Sequence, residues 1–159
     1  MATKATPALT AAARAGVRVV AHEYEVSHTV SDYGVAVAEA IGQGVDRVFK
    51  TLVVEVDGDR LVVGVVPVAA RVDLKALAAA NGGRRAELAD PAKAERATGY
   101  VVGGISPLGQ RKALPTVIDE TVDLFDTVFV SGGKRGLQIE LSPADLILLT
   151  RAEVAPITR

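Results

Sequence analysis

Lys50 is the residue of this chain whose setting least suits its type. On an extended strand Val48, Lys50, Leu52 and Val54 share one face, because side chains alternate with period two. An ammonium in that apolar row admits two readings. As an end-of-strand residue it can lay its stem on apolar surface and leave its charge in water. Held at the mouth of a pocket, it can instead meet a phosphate, a carboxylate or a developing oxyanion.

Two glycine-rich segments carry the other candidate chemistry. Gly103-Gly104-Ile105-Ser106-Pro107-Leu108-Gly109 has neither the G-x-G-x-x-G spacing of a dinucleotide site nor the G-x-x-x-x-G-K-[ST] pattern of a phosphate loop. Its backbone groups can line a pocket or donate to an oxyanion, or the segment can be a plain turn. Ser106 precedes Pro107 and sits in no G-x-S-x-G elbow, which makes it a poor nucleophile. Ser131-Gly132-Gly133-Lys134-Arg135-Gly136 sets two cations among flexible backbone donors, as a phosphate cradle or as a solvated hairpin. Arg84-Arg85 and Arg111-Lys112 form an RNA-contacting patch with it only if the fold gathers them. His22 and Tyr24 lie two apart on one strand face, with His28 four residues beyond. Two histidines without a fixed carboxylate pattern make no metal site, whereas Tyr24 can shape a pocket with ring and hydroxyl.

Composition narrows the classes. The 159 residues contain no Cys, which excludes protein thiol nucleophiles, disulfides and thiolate zinc sites. A formal net charge of -1 offers no global field for nucleic acid, so RNA would be recruited by local patches or through a partner protein. No apolar run reaches the roughly 18 residues of a membrane span, and no signal-peptide h-region is expected, so the reading is cytoplasmic, without membrane or DNA partners. Hydrophobic residues at 49% and charged residues at 23% exclude disorder, collagen and coiled coil. Aromatics are only 4%, so Val, Ala and Leu must build the core.

The positioning elements follow from local signals. Thr6-Pro7 reads as an N-cap with Pro at N1, opening a helix to Gly16. Val17 to Glu25 reads as a partly exposed strand, and Ser31 as the cap of a helix through Ile41. Phe49 to Val56 and Leu61 to Val66 flank Asp57-Gly58, a strong hairpin signal, and the valines of the second run suit a central strand. Leu74, Leu77 and Ala78 give a helical stripe that Gly82-Gly83 closes; Asp90-Pro91 opens another helix to Gly99. Tyr100–Val102, Thr116–Ile118, Thr127–Val130 and Leu137–Leu141 read as short strands, and Ser142-Pro143 opens a last helix through Leu149. No linker of domain-boundary length interrupts them, which implies one mixed α+β domain over residues 1–159.

Several blocks together carry a resemblance. They are Val48-Phe49-Lys50-Thr51-Leu52, Pro67-Val68-Ala69, Thr98-Gly99-Tyr100-Val101-Val102 running into Gly103 through Gln110, and Ser131 through Leu137. In this order and spacing they resemble the YbaK/EbsC family of Cys-tRNA(Pro)/Cys-tRNA(Cys) deacylases, relatives of the prolyl-tRNA synthetase editing domain. The resemblance implies an α+β fold with a mixed, strongly curled, barrel-like sheet flanked by helices. It implies an enzyme that strips a wrongly attached amino acid from the 3′ end of a tRNA. It sets Lys50 as the key pocket residue near the terminal adenosine, with Tyr24 and Thr51 lining the site. Gly103, Gly104, Ile105 and Ser106 border the aminoacyl group, Gly132 and Gly133 lie close by, and His22, Lys134 and Arg135 support. The family pattern often has Asp where this chain has Gln138, which removes an anion from around the lysine.

That resemblance implies no cofactor and no metal. The thiol of cysteine on the mischarged Cys-tRNA(Pro) attacks its own ester carbonyl, and a well-oriented intramolecular attack is worth about 7–11 kcal/mol. A transient complex with prolyl-tRNA synthetase would supply much of the tRNA contact. Two alternatives stand beside it: an Ala-tRNA(Pro) deacylase using an ordered water, and a non-catalytic tRNA-binding module.

Overall fold

The structure is a computed structural model, and it describes residues 5–27 and 32–159. In chain order the elements are α1 (Pro7–Arg14), β1 (Val20–Glu23), α2 (Tyr33–Ala40), β2 (Phe49–Val56), β3 (Arg60–Pro67), α3 (Leu74–Ala80) and β4 (Ala86–Leu88). They continue with α4 (Pro91–Thr98), β5 (Thr116–Asp119), a 3-10 turn (Glu120–Leu124), β6 (Val128–Ser131), β7 (Leu137–Leu141), α5 (Pro143–Thr150) and β8 (Glu153–Ala155).

The Asp57-Gly58 signal produces the longest ladder. β2 and β3 pair antiparallel from Phe49 opposite Pro67 to Val56 opposite Arg60. Asp57 and Gly58 both take positive φ, 52° and 71°, which matches the right-handed twist of the flanking strands. β3 lies between β2 and β5, and its valines fill both faces. Val63 and Val65 pack with Phe49, Ile118 and Leu146, while Val62 and Val66 pack with Leu77, Ala78 and Ile157. Each such side chain contributes roughly 1.5–3 kcal/mol on burial, so this strand anchors the core.

Two helix caps form as the sequence directs, one is shifted, and Asp90 precedes α4 without a side-chain cap bond. The side chains of Thr6 and Ser142 accept from Leu9 N–H and Asp145 N–H. α2 is capped by Asp32, whose carboxylate accepts from Val35 N–H, while Ser31 and His28 lie outside the described residues. Tyr100–Val102 is not a strand. Tyr100 is buried and its hydroxyl donates to the Leu108 carbonyl at 2.6 Å, so the aromatic ring closes a loop instead of joining a ladder. β4 and β8 have only three residues each, too few to show a periodicity in sequence.

The expectation of one strongly curled, barrel-like sheet is corrected. The strands form two open sheets, β4-β2-β3-β5-β8 and β1-β7-β6. They meet at one parallel bridge, Val48 with Phe129. Barrel closure needs a continuous, staggered ladder, and β6 is too short to provide one. It has four residues and turns back at Gly132-Gly133 toward β7. Meanwhile β4 takes the same edge of β2 only at Val54–Val56. Between those two contacts this edge of β2 has no strand partner among the described residues, and a seam stays open. Among the described residues no helix is long and apolar enough to cross a membrane.

Candidate active site

The seam holds a cavity of about 390 Å³. That is within the roughly 300–1,000 Å³ of small-molecule sites. Lys50, Thr51, Leu52 and Val53 of β2, Ser131 of β6 and Gln138 of β7 contribute to its wall. Extending the Val48–Phe129 bridge by two residues would set Lys50 opposite Ser131; the cavity separates them instead. Backbone alternation aims polar groups at this gap. Val48 C=O accepts from Val68 on the β3 side, whereas Arg47 C=O accepts from Phe129 and Val53 C=O accepts from Ala89 on the other. By that alternation Thr51 turns its N–H and C=O toward the seam.

Two buried polar atoms in the wall, Thr51 Oγ1 and Gln138 Oε1, have no hydrogen-bond partner among the described residues. A buried polar atom left unpaired costs about 1–3 kcal/mol, and such atoms are expected where a ligand completes them. Lys50 is the one charged side chain among the described lining residues, and it makes no ion pair there. The described wall has no His, Asp or Glu, and the chain has no Cys.

The two glycine-rich loops meet beside the cavity. A side chain at Gly104 would come within 2.8 Å of the Lys134 backbone, so only glycine lets the loops dock. Gly103, at φ 95°, abuts the Arg135 guanidinium, which lies 5.3 Å from the centre of the Tyr33 ring and donates to Val102 C=O at 3.2 Å. Gly103, Ile105 and Tyr33 reach the cavity wall. Tyr24 stands behind Tyr33, their hydroxyls 3.5 Å apart. Burial first, and then the bond to Tyr24, push the Tyr33 hydroxyl up to about 12, so it stays a neutral donor at physiological pH.

A family model for the aminoacyl-tRNA editing domain matches residues 28–149, about three quarters of the chain. The chain belongs to the aminoacyl-tRNA editing domain family. The editing domain is 42% identical over 123 residues to the candidate Cys-tRNA(Pro)/Cys-tRNA(Cys) deacylase EbsC of Enterococcus faecalis, covering 77% of this chain and 75% of that one. It is 30% identical over 138 residues to the multifunctional Ser/Thr-tRNA deacylase ProXp-y of Escherichia coli K12, covering 84% and 83%. A crystal structure described as a candidate trans-editing enzyme for prolyl tRNA synthetase superposes with a TM-score of 0.85 at 25% identity, covering 96% of this chain and 95% of that one. The YbaK/EbsC resemblance is thereby borne out, and with it an aminoacyl-tRNA deacylase.

Within this editing domain the expected site residues divide. Lys50, Thr51, Gly103, Ile105 and Gln138 line the cavity. Gly104, Gly132 and Gly133 stand behind the wall, and Lys134 and Arg135 are exposed on its flank. Ser106 is fully buried outside the wall; its Oγ accepts from Leu108 N–H at 3.2 Å. His22 belongs to a different cluster. Its Nε2 lies 2.9 Å from Glu140 Oε1, and Glu140 also accepts from Thr127 Oγ1 at 2.6 Å and pairs with Arg47 at 3.5 Å. Arg47 Nε donates to Thr127 C=O at 2.8 Å, and its NH2 bonds Thr127 Oγ1. This latch ties the start of β2 to β6 and β7. Sequence reasoning missed Tyr33 and Ser131 as wall residues, although both lie within segments it had singled out.

Proposed function

We propose that the editing domain removes cysteine from mischarged Cys-tRNA(Pro), with the substrate thiol as nucleophile. The observation that carries this is a wall whose described residues hold one cation and no His, Asp or Glu to activate a protein hydroxyl, in a chain without Cys. The 42% identity to EbsC supports cysteine as the acyl group. Lys50 holds the terminal-adenosine end, while Thr51 N–H at the seam and the backbone around Gly103 and Ile105 face the forming oxyanion. Sulfur bonds to the ester carbon, the carbon–oxygen bond to the ribose breaks, and the thiol proton ends on the ribose oxygen. A cysteine thiolactone leaves and is later hydrolysed. Gly104, Ser106, Gly132 and Gly133 act as the frame of the site, Tyr24 through Tyr33, and His22 through the latch. The work is cytoplasmic and beside prolyl-tRNA synthetase, because a chain of net charge -1 lacks the field to hold a tRNA body by itself.

Single-turnover deacylation of matched Cys-tRNA(Pro) and Ser-tRNA(Pro), with trapping of thiolactone, tests this. The cysteine substrate is expected to react far faster and to yield thiolactone. Comparable rates, or a covalent adduct on Ser106, would overturn substrate assistance and make water the nucleophile, with Ala-tRNA(Pro) then the first substrate to try.

A further inference from the structure

Gln138 makes an unusual pairing with Lys50. It is 6% exposed, it lines the cavity, and its Oε1 has no partner among the described residues. The cavity wall therefore holds one cation and, buried in it, a neutral unpaired acceptor, with no carboxylate among the described wall residues. Residues 1–4 and 28–31 contain no Asp or Glu either.

The surrounding charges are committed elsewhere. On β7 itself Glu140 is bonded to Thr127, His22 and Arg47. From β1, His22 stands opposite Gln138 in the ladder, and Tyr24 follows it. α2 presents Tyr33 and the capping Asp32, and the neighbouring loops present Arg135 over Tyr33. Near α4, Glu95 accepts from Val102 N–H at 2.9 Å, Glu55 of β2 pairs with Lys93 at 2.9 Å, and Asp90 is exposed.

An aminoacyl ester carries an α-amine that is an ammonium or an uncharged amine near neutral pH. In a half-enclosed site a second cation beside Lys50 is repelled, whereas an uncharged amine donates to Oε1 without that penalty. We propose that Gln138 is a specificity-determining residue through which the cavity accepts the aminoacyl group in its uncharged-amine form. The inference rests on the aminoacyl site proposed above.

The test is binding rather than turnover, so that thiol ionisation does not enter. The probe is 3′-amino-3′-deoxyadenosine acylated through an amide with S-methylcysteine, titrated calorimetrically against the full chain at pH 6 and pH 8.5. A second probe replaces the α-amine by a hydroxyl. For an amine titrating at about 7.7 the uncharged fraction rises about 40-fold across this range, so the amine probe's Kd is expected to fall by up to about 40-fold. The hydroxyl probe's Kd should stay flat. With Gln138→Glu, an isosteric carboxylate, the amine probe should bind at least as well at pH 6 as at pH 8.5. A wild-type Kd that is flat or tighter at pH 6 overturns the proposal, as does a Gln138→Glu variant that keeps the wild-type dependence. If the hydroxyl probe shows the same dependence, a group of the protein and not the α-amine carries it, and the proposal falls while the deacylase site stands. If neither probe binds at either pH, the aminoacyl site itself is overturned. The two wild-type titrations decide the matter even if the variant does not fold.

Discussion

Two polar clusters flank the start of β2, and they are opposites. At the latch, Arg47, Thr127, Glu140 and His22 bond one another, and the two sheets touch there. A few residues on, at the seam, Lys50 has no ion pair and Thr51 Oγ1 and Gln138 Oε1 have no hydrogen-bond partner among the described residues. Both clusters lie where β6 and β7 approach β2, but one is chemically complete and the other is not. A satisfied cluster holds a fold together; an unsatisfied one carries a cost that a ligand can remove. On the proposed function, the difference leaves structure to the latch and recognition to the seam.

Substitutions can break that assignment. The largest effect is expected from Lys50→Met, which should slow deacylation about 30-fold or more, since a lost contact to a desolvated anion costs roughly 2–5 kcal/mol. Thermal unfolding should be unchanged or slightly raised, because no protein partner is lost. A large drop in stability with little change in rate would reverse the roles of the two clusters.

Arg47→Met should do the opposite first. Thr127 C=O and Glu140 lose a charged donor, a loss of about 1–3 kcal/mol. Scanning calorimetry should show a melting temperature roughly 3–10 °C lower, and weaker activity would follow only from a looser seam.

Glu140 sharpens the comparison through pH. The Thr127 hydroxyl, and then His22 and Arg47, hold its carboxyl below the ordinary 4.5 against an opposing effect of burial. The folded state thus prefers the ionised form. Its contribution is fully present above about 4.5 and is lost as pH falls through the lowered value. Urea midpoints from pH 7 to pH 3 should show Glu140→Gln less stable than wild type at neutral pH, with the gap narrowing in acid. A gap that stays constant would mean that the latch does not depend on that charge.

The smallest effect belongs to Ser106→Ala. Its hydroxyl serves one turn hydrogen bond, so about 0.5–1.5 kcal/mol of stability is at stake and single-turnover rates should stay within a few-fold of wild type.

Much of this architecture is legible locally. The Asp57-Gly58 hairpin, the valine-filled central strand, the caps at Thr6 and Ser142 and the lysine in an apolar row each rest on neighbours within a few positions, where turn chemistry, side-chain alternation and capping operate. The same holds for the poor nucleophile context of Ser106. Tyr100–Val102 misled because a β-rich triplet cannot show that a buried tyrosine hydroxyl will bond a carbonyl eight residues on. β4 and β8 escaped because three residues carry no period.

What the amino-acid order determined by itself is therefore the set of parts: the long hairpin, the capped helices, the two glycine-rich loops and the lysine at the head of β2. Only the tertiary structure decided that the sheets stay open, that the loops dock through Gly104 on the Lys134 backbone, and that Gln138, far along the chain, faces the same cavity as Lys50. The physical reason is range. Caps, turns and alternation are settled over a few residues, but whether a polar atom is paired depends on which distant strand arrives beside it, and among the described residues none does at the seam of β2.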